Sequence, residues 1–258
     1  MNDLSAMLQD LPSTSFGFIL VVARVGTAIL TGPALGEYEI PATMRAALAA
    51  ILAGLVYPTL QGVLPHLPRD MVELVGLIIM EIIVGAWLGF LTRVMVMALA
   101  ITGGVISLMV GLSSVLQIDP SVGAQVTALQ RMLSIATVAL LFASGLYILP
   151  MQAIVGSYDV IMPGSAFDVG GAAEMVARAV SGSFGLSIRL SAPFVITCLV
   201  WQAALGFVSR LIPNIQVHVV SAPAQILGGL ALLAATISLM LDTWSTGMRQ
   251  AFSILPSP

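Results

Sequence analysis

Between Met71 and Val110 the chain runs for two membrane spans' length with only Glu73, Glu81 and Arg93 as charges. A helix that crosses a bilayer needs about 20 largely apolar residues, so this run is one very long helix or two shorter ones meeting near Arg93 or Gly103-Gly104. Composition generalises the point. Of 258 residues, 59% are hydrophobic and 8% are charged, where soluble domains carry about a quarter charged residues. There is too little polar surface to coat a globule in water. Inside lipid every backbone N–H and C=O must be satisfied within the protein, which leaves helices as the elements for runs this long. The expected fold is an all-α integral membrane protein with about seven or eight kinked hydrophobic helices.

Turn chemistry divides the rest. Phe16–Leu35 is the first span, with Arg24 at its centre. Met1–Pro12 holds Asp3 and Asp10 and no cation, unlike the basic start of a signal peptide, so the first span is expected to stay in the mature protein. Gly36–Pro41 reads as a turn, and Pro41 suits the start of a helix Ala42–Tyr57 that Pro58 ends. Gln61–Asp70 is a surface loop by its prolines and polar residues. Gln125–Leu149 is helical by length, with Pro150 limiting or kinking it. Ser157–Gly171 is a second loop. Ala172–Arg189 is more amphipathic than spanning, Pro193–Leu211 is another apolar helix, and Pro213–Pro223 reads as extended or irregular. Ala224–Trp244 is the last long apolar run. The whole chain, 1–258, is read as a single all-helical domain.

All nine cations are Arg, and the net charge is −3 with no basic stripe. That disfavours nucleic acid as a partner, since phosphate binding rests on clustered cations. The positive-inside rule gives no orientation, because Arg is scattered over most loops. His66 and His218 have no partners at ligand spacing, which argues against a metal site. No exposed-nucleophile turn and no phosphate-binding glycine loop is present. No cofactor and no enzymatic activity are expected. Cys198 sits in an apolar run, as a small core residue does.

Charges inside apolar runs are the most informative feature. Arg24 and Glu81 each sit mid-run, and facing lipid there costs at least about 2.5–3.5 kcal/mol, so both must face protein or water. Glu81, Gly85, Gly89 and Arg93 recur every four residues and form a slanted stripe on one helix side. Gly85 and Gly89 make a GxxxG, which permits close helix approach. The stripe reads as an inter-helix packing seam with buried ion pairs, with a proton or ion relay and direct contact with other subunits as the alternatives. Thr27 and Thr31 share a face with Arg24 and are expected to bond back to their own helix. Arg131 is the only charge of its run.

Gly111–Pro120, GLSSVLQIDP, separates two uncharged runs. A loop so flanked lies at a membrane surface or inside a protein cavity. Apart from Asp119 it carries no charge, which favours a segment that lines or closes a path.

These residues together resemble the FliR family, the flagellar type III export-gate subunit related to the corresponding injectisome subunits. The resemblance runs along essentially the whole chain. It rests on Arg24-x-Gly26, Pro33, Pro41 and Arg45, then Glu81 with Gly85 and Gly89, the Gly111-Leu112 to Asp119-Pro120 segment and Arg131, and finally Gly206, Arg210, Pro213-Asn214 and Pro223. In the last stretch the polar pair runs Asn214 then Gln216, and His218 stands where the family usually has an aromatic.

The resemblance implies a non-enzymatic structural and gating subunit whose helical hairpins assemble with FliP-like and FliQ-like subunits into a conical export gate. It implies an FlhB-like gate subunit and the basal-body ring as neighbours, unfolded export substrates as cargo, and a multi-pass place in the bacterial inner membrane at the flagellar basal body. It also implies that the central loop helps to plug the channel. Within this segment, which includes Leu112, Gly111 would permit the departure from helix, Val115, Leu116 and Ile118 would supply the apolar seal, and Asp119-Pro120 would turn the chain back. The alternative on the residues alone is a stand-alone multi-helix transporter for a small solute, coupled through Glu81 and Arg24.

Overall fold

A computed structural model describes residues 2–33, 41–112, 127–211 and 217–252, with side chains from residue 11 in the first helix and from residue 221 in the last. Among these residues the chain is all-helical. The helices are α1 (Asn2–Thr31), α2 (Ala42–Leu60), α3 (Met71–Val96), α4 (Ala98–Val110), α5 (Ala128–Ala143), α6 (Ile148–Val160), α7 (Val169–Leu211) and α8 (Val217–Phe252). Five are long and apolar enough to cross a membrane, or six if the bent α5–α6 pair is one span.

The apolar stretch Met71–Val110 is two helices, parted at Met97 rather than at Arg93 or the Gly103-Gly104 pair. Three sequence boundaries move. Ala172–Arg189 and Pro193–Leu211 are one helix of 43 residues with Pro193 inside it. Part of the stretch read as irregular is helix, since α8 begins at Val217 and runs through Pro223. The loop expected from Ser157 begins only after Val160. In each case the competing principle is the same. Ending a helix in apolar surroundings strands several carbonyls and amides, whereas an internal proline removes one hydrogen bond. Pro150 does not break its run either. It stands in the first turn of α6, where a proline loses no helical bond, and the break between the two helices falls at Gly145 (φ 71°).

The chain divides into two compact units. The first contains α1, α2, α3 as far as Met95, α6 and the start of α7 as far as Ala179. Its core joins Val21, Val25, Ala28 and Ile29 of α1 to Ala49, Ala53 and Leu60 of α2 and to Ile154 and Tyr158 of α6. The α1 positions recur at the three- and four-residue spacing that puts them on one helix face.

The second unit contains α4, α5, α7 from Val180 and α8 as far as Gln250. Here α4 and α5 approach closely, since a Cβ at Gly103 would stand 2.9 Å from Gln130 Cα. The Thr102 hydroxyl of α4 lies 3.3 Å from the Ser187 hydroxyl of α7.

The end of α4 is a Schellman turn. Gly111 is left-handed (φ 84°), its N–H bonds to Leu108 O, and the Leu112 N–H bonds to Ser107 O at 2.9 Å. That arrangement satisfies carbonyls which the last helical turn leaves free. A third, Met109 O, accepts from Gln225 Nε2 of α8 at 2.8 Å. A side chain with a Cβ is strained at Gly111, so Gly111→Ala should cost about 1–2 kcal/mol. Asn, which tolerates this conformation, should cost less. Thermal unfolding of the purified assembly measures the difference.

Candidate functional site

The site is a charged cluster enclosed in the first unit, built where α1, α3 and α6 meet. Arg24 is fully buried and Glu81 is 2% exposed. Arg24 donates from Nε to Glu81 Oε2 at 2.6 Å and from Nη2 to Glu81 Oε1 at 3.0 Å, a two-pronged pairing of α1 with α3. Its Nη1 donates to Ser157 Oγ at 3.2 Å, and the Ser157 hydroxyl donates in turn to Ile154 O at 2.6 Å. The Tyr158 ring covers the guanidinium face, 4.1 Å from Cζ to the centroid. The planar fork of Arg suits this use, since its parallel donors match a carboxylate. The cation is thus matched by a carboxylate, a hydroxyl and a π-face, all from one chain.

Below the pair, α1 and α3 touch backbone to backbone. A Cβ at Gly85 would collide with Arg24 O and Thr27 Oγ1, and one at Gly89 with Thr31 Oγ1 and Ala28 O. Thr27 and Thr31 bond back to Ala23 O and Thr27 O, at 2.6 and 2.7 Å. Their hydroxyls are therefore satisfied on α1 while they press on the glycines. Glu81, Gly85 and Gly89 form one seam against Arg24, Thr27 and Thr31.

The other candidates lie apart from this cluster in sequence and role. Arg93 ends the α3 stripe and is half-buried, and Arg131 is on an exposed position of α5. Arg210 and Pro223 are exposed on α7 and α8. Gly111 and Leu112 form the Schellman turn. Val115, Leu116, Ile118, Asp119, Pro120, Pro213, Asn214 and Gln216 lie outside the described residues.

Sequence reasoning missed Ser157 and Tyr158, because Ser157 was assigned to a loop. It missed Gln225 as well, whose helical setting was not foreseen. The signal available for the first two was the demand of Arg24 for more acceptors than one carboxylate supplies.

Comparison with known proteins places the chain in a family. Residues 15–251 match the family described as bacterial export proteins, family 1. The chain is 32% identical to the flagellar biosynthetic protein FliR of Caulobacter vibrioides, over 91% of this chain and 94% of that one. It is 30% identical to FliR of Bacillus subtilis, over 92% and 90% of the two chains. FliR of Escherichia coli is 23% identical over 90% and 88%. The chain belongs to the FliR family. It is a component of the flagellar export apparatus and a multi-pass inner-membrane protein at the flagellar body.

Two outcomes test the seam of this FliR-family chain. Gly85→Leu should abolish recovery of folded protein from membranes, because helix backbone occupies the space. Gly76→Leu, on the same helix with nothing within 4 Å, should be recovered at normal yield. Replacing Glu81 by Gln leaves Arg24 charged and underpaired, a loss that costs about 3–5 kcal/mol in a buried pair. Tyr158→Phe should be neutral, because the Tyr158 hydroxyl is buried with no hydrogen-bond partner and the ring face remains. Melting temperatures of the purified complex compare the two.

Proposed function

We propose that this chain is a non-enzymatic structural and gating subunit of the flagellar type III export channel, assembled with FliP-like and FliQ-like subunits beside an FlhB-like subunit and the basal-body ring. The observation that carries this reading is the surface of α7 and α8. With 43 and 36 residues, they extend about 65 and 54 Å at 1.5 Å per residue. The hydrocarbon core of a bilayer is about 30 Å thick. Yet each helix carries a strongly apolar window, and only 17% and 11% of those windows is buried within the chain. Lipid cannot cover such lengths of untilted helix, whereas neighbouring subunits can. The buried Arg24–Glu81 seam fits the same role, since it ties helices together and matches its own charge.

In this reading unfolded flagellar substrates pass through a pore built jointly with the partners, and Gly111–Pro120 is the plug. Support comes from the family resemblance and from the fixed roots of the segment. Ser107 and Thr127, on either side, are hydrogen-bonded at 2.7 Å, and Gln225 holds the end of α4.

Co-expression decides the assembly. Yield of the chain should rise several-fold with FliP-like and FliQ-like subunits present, and all should co-purify. A chain that purifies alone as a stable, solute-binding monomer would contradict the reading. Deleting Val115–Ile118 should leave assembly intact while the membrane leaks ions. Unchanged conductance in an assembled complex would remove the plug role.

A further inference from the structure

The second unit carries a charge that nothing in the chain answers. Arg189 stands near the middle of α7 and is exposed. Among the described residues it makes no ion pair and no hydrogen bond. Its surroundings are apolar. Ile196, Val200 and Phe207 follow at intervals that return within about 20° of the same helix direction, and they are 61%, 65% and 69% exposed. An outward face of α7 thus has one cation at its head and three large apolar side chains along it. An ionised side chain facing hydrocarbon is costly. The buried cation of the first unit, Arg24, meets that cost through Glu81, whereas Arg189 has no such partner.

The neighbouring helix narrows what can answer Arg189. A Cβ at Gly247 of α8 would stand 2.9 Å from Leu186 Cδ2 of α7. Further along, Phe194, Cys198 and Trp201 of α7 line an apolar cavity with Gly228 and Leu232 of α8 and the end of α4. The two helices therefore run antiparallel. Rising from Leu186 to Arg189 and returning from Gly247 to Asp242 moves about 4.5 and 7.5 Å the same way, which puts Arg189 and Asp242 within about 3 Å of one level. Asp242 is exposed and likewise unpaired among the described residues. It lies on the side of α8 opposite the buried Met240, Trp244 and Met248. A layer of lipid phosphates that served Arg189 would repel Asp242. A protein helix can bring one carboxylate to Arg189 and keep like charge away from Asp242.

We propose that this face of α7 docks a helix of another subunit, one whose apolar side carries a single Asp or Glu seated on Arg189. The guanidinium fork recognises a carboxylate through two parallel hydrogen bonds, and the apolar side of the same helix covers Ile196, Val200 and Phe207. A charge pair enclosed at such a contact fixes register and excludes partners without the matching charge. The first unit uses the same device internally, where the Arg24 fork on Glu81 joins α1 to α3. This contact presupposes the assembly proposed above and adds the chemistry by which one neighbour is recognised.

Native membranes holding the whole export apparatus supply the test. A photo-crosslinking side chain at Ile196, read by mass spectrometry, should join α7 to a peptide of another subunit with an Asp or Glu in apolar sequence, about two helical turns from the linked residue. Arg189→Glu should lower co-purification of that subunit at least about tenfold, as expected when one member of an enclosed charge pair is lost. Arg189→Lys, which keeps the charge, should lower it less. Replacing the partner's carboxylate by Arg should restore co-purification with Arg189→Glu, a rescue that a misfolded chain would not give. Crosslinks to phospholipid alone would overturn the proposal and assign Arg189 to a headgroup layer. A linked peptide without a carboxylate, or undiminished co-purification of Arg189→Glu, would overturn it while the assembly itself stands. Failure of the unaltered chain to co-purify with any subunit would overturn the assembly and this contact with it.

Discussion

A guanidinium and a carboxylate enclosed together among apolar helices set the terms for the first unit. Neither Arg24 nor Glu81 survives burial alone, because removing a charge from water costs several kcal/mol unless a partner is met in good geometry. The pairing therefore fixes which helices are neighbours and at which register. With the Arg24 fork on Glu81, the four-residue step of α3 brings Gly85 and Gly89 onto the α1 backbone beside Thr27 and Thr31. Ser157 and Tyr158 then bring α6 into the same cluster. Polar chemistry supplies the register, and small residues supply the proximity.

The second unit solves a different problem by related means. The end of α4 leaves carbonyls that need donors, and they are met locally by a Schellman turn and remotely by Gln225 of α8. A Cβ at Gly229 would fall 2.5 Å from the Val110 methyls, so α8 supports the same helix end by packing as well as by hydrogen bonding.

Much of this was legible in the sequence. Mid-run charges in a chain with so little polar surface have to pair, and the Glu81-Gly85-Gly89 spacing announces a close helix contact. Less legible were the helix limits. Pro193 and Pro223 read as stops by turn chemistry, yet both lie within helices, because apolar surroundings penalise a broken helix more than a missing bond. Ser157 and Tyr158 were hidden for a related reason: the polar residues of a buried helix end resemble those of a loop. Trp201 and Cys198 gave no sign of a shared cavity, since residues three apart on one helix become a pocket wall only once α4 and α8 close over them.

Taken together, the chain satisfies its buried polar groups largely from within and leaves its apolar exterior to be covered. A photo-crosslinking side chain at Phe207 and at Leu239, exposed positions of α7 and α8, tests that division in native membranes. Covalent adducts with neighbouring protein subunits are the predicted result. Adducts with lipid alone at both positions would contradict it, and the long helices would then be ordinary bilayer spans.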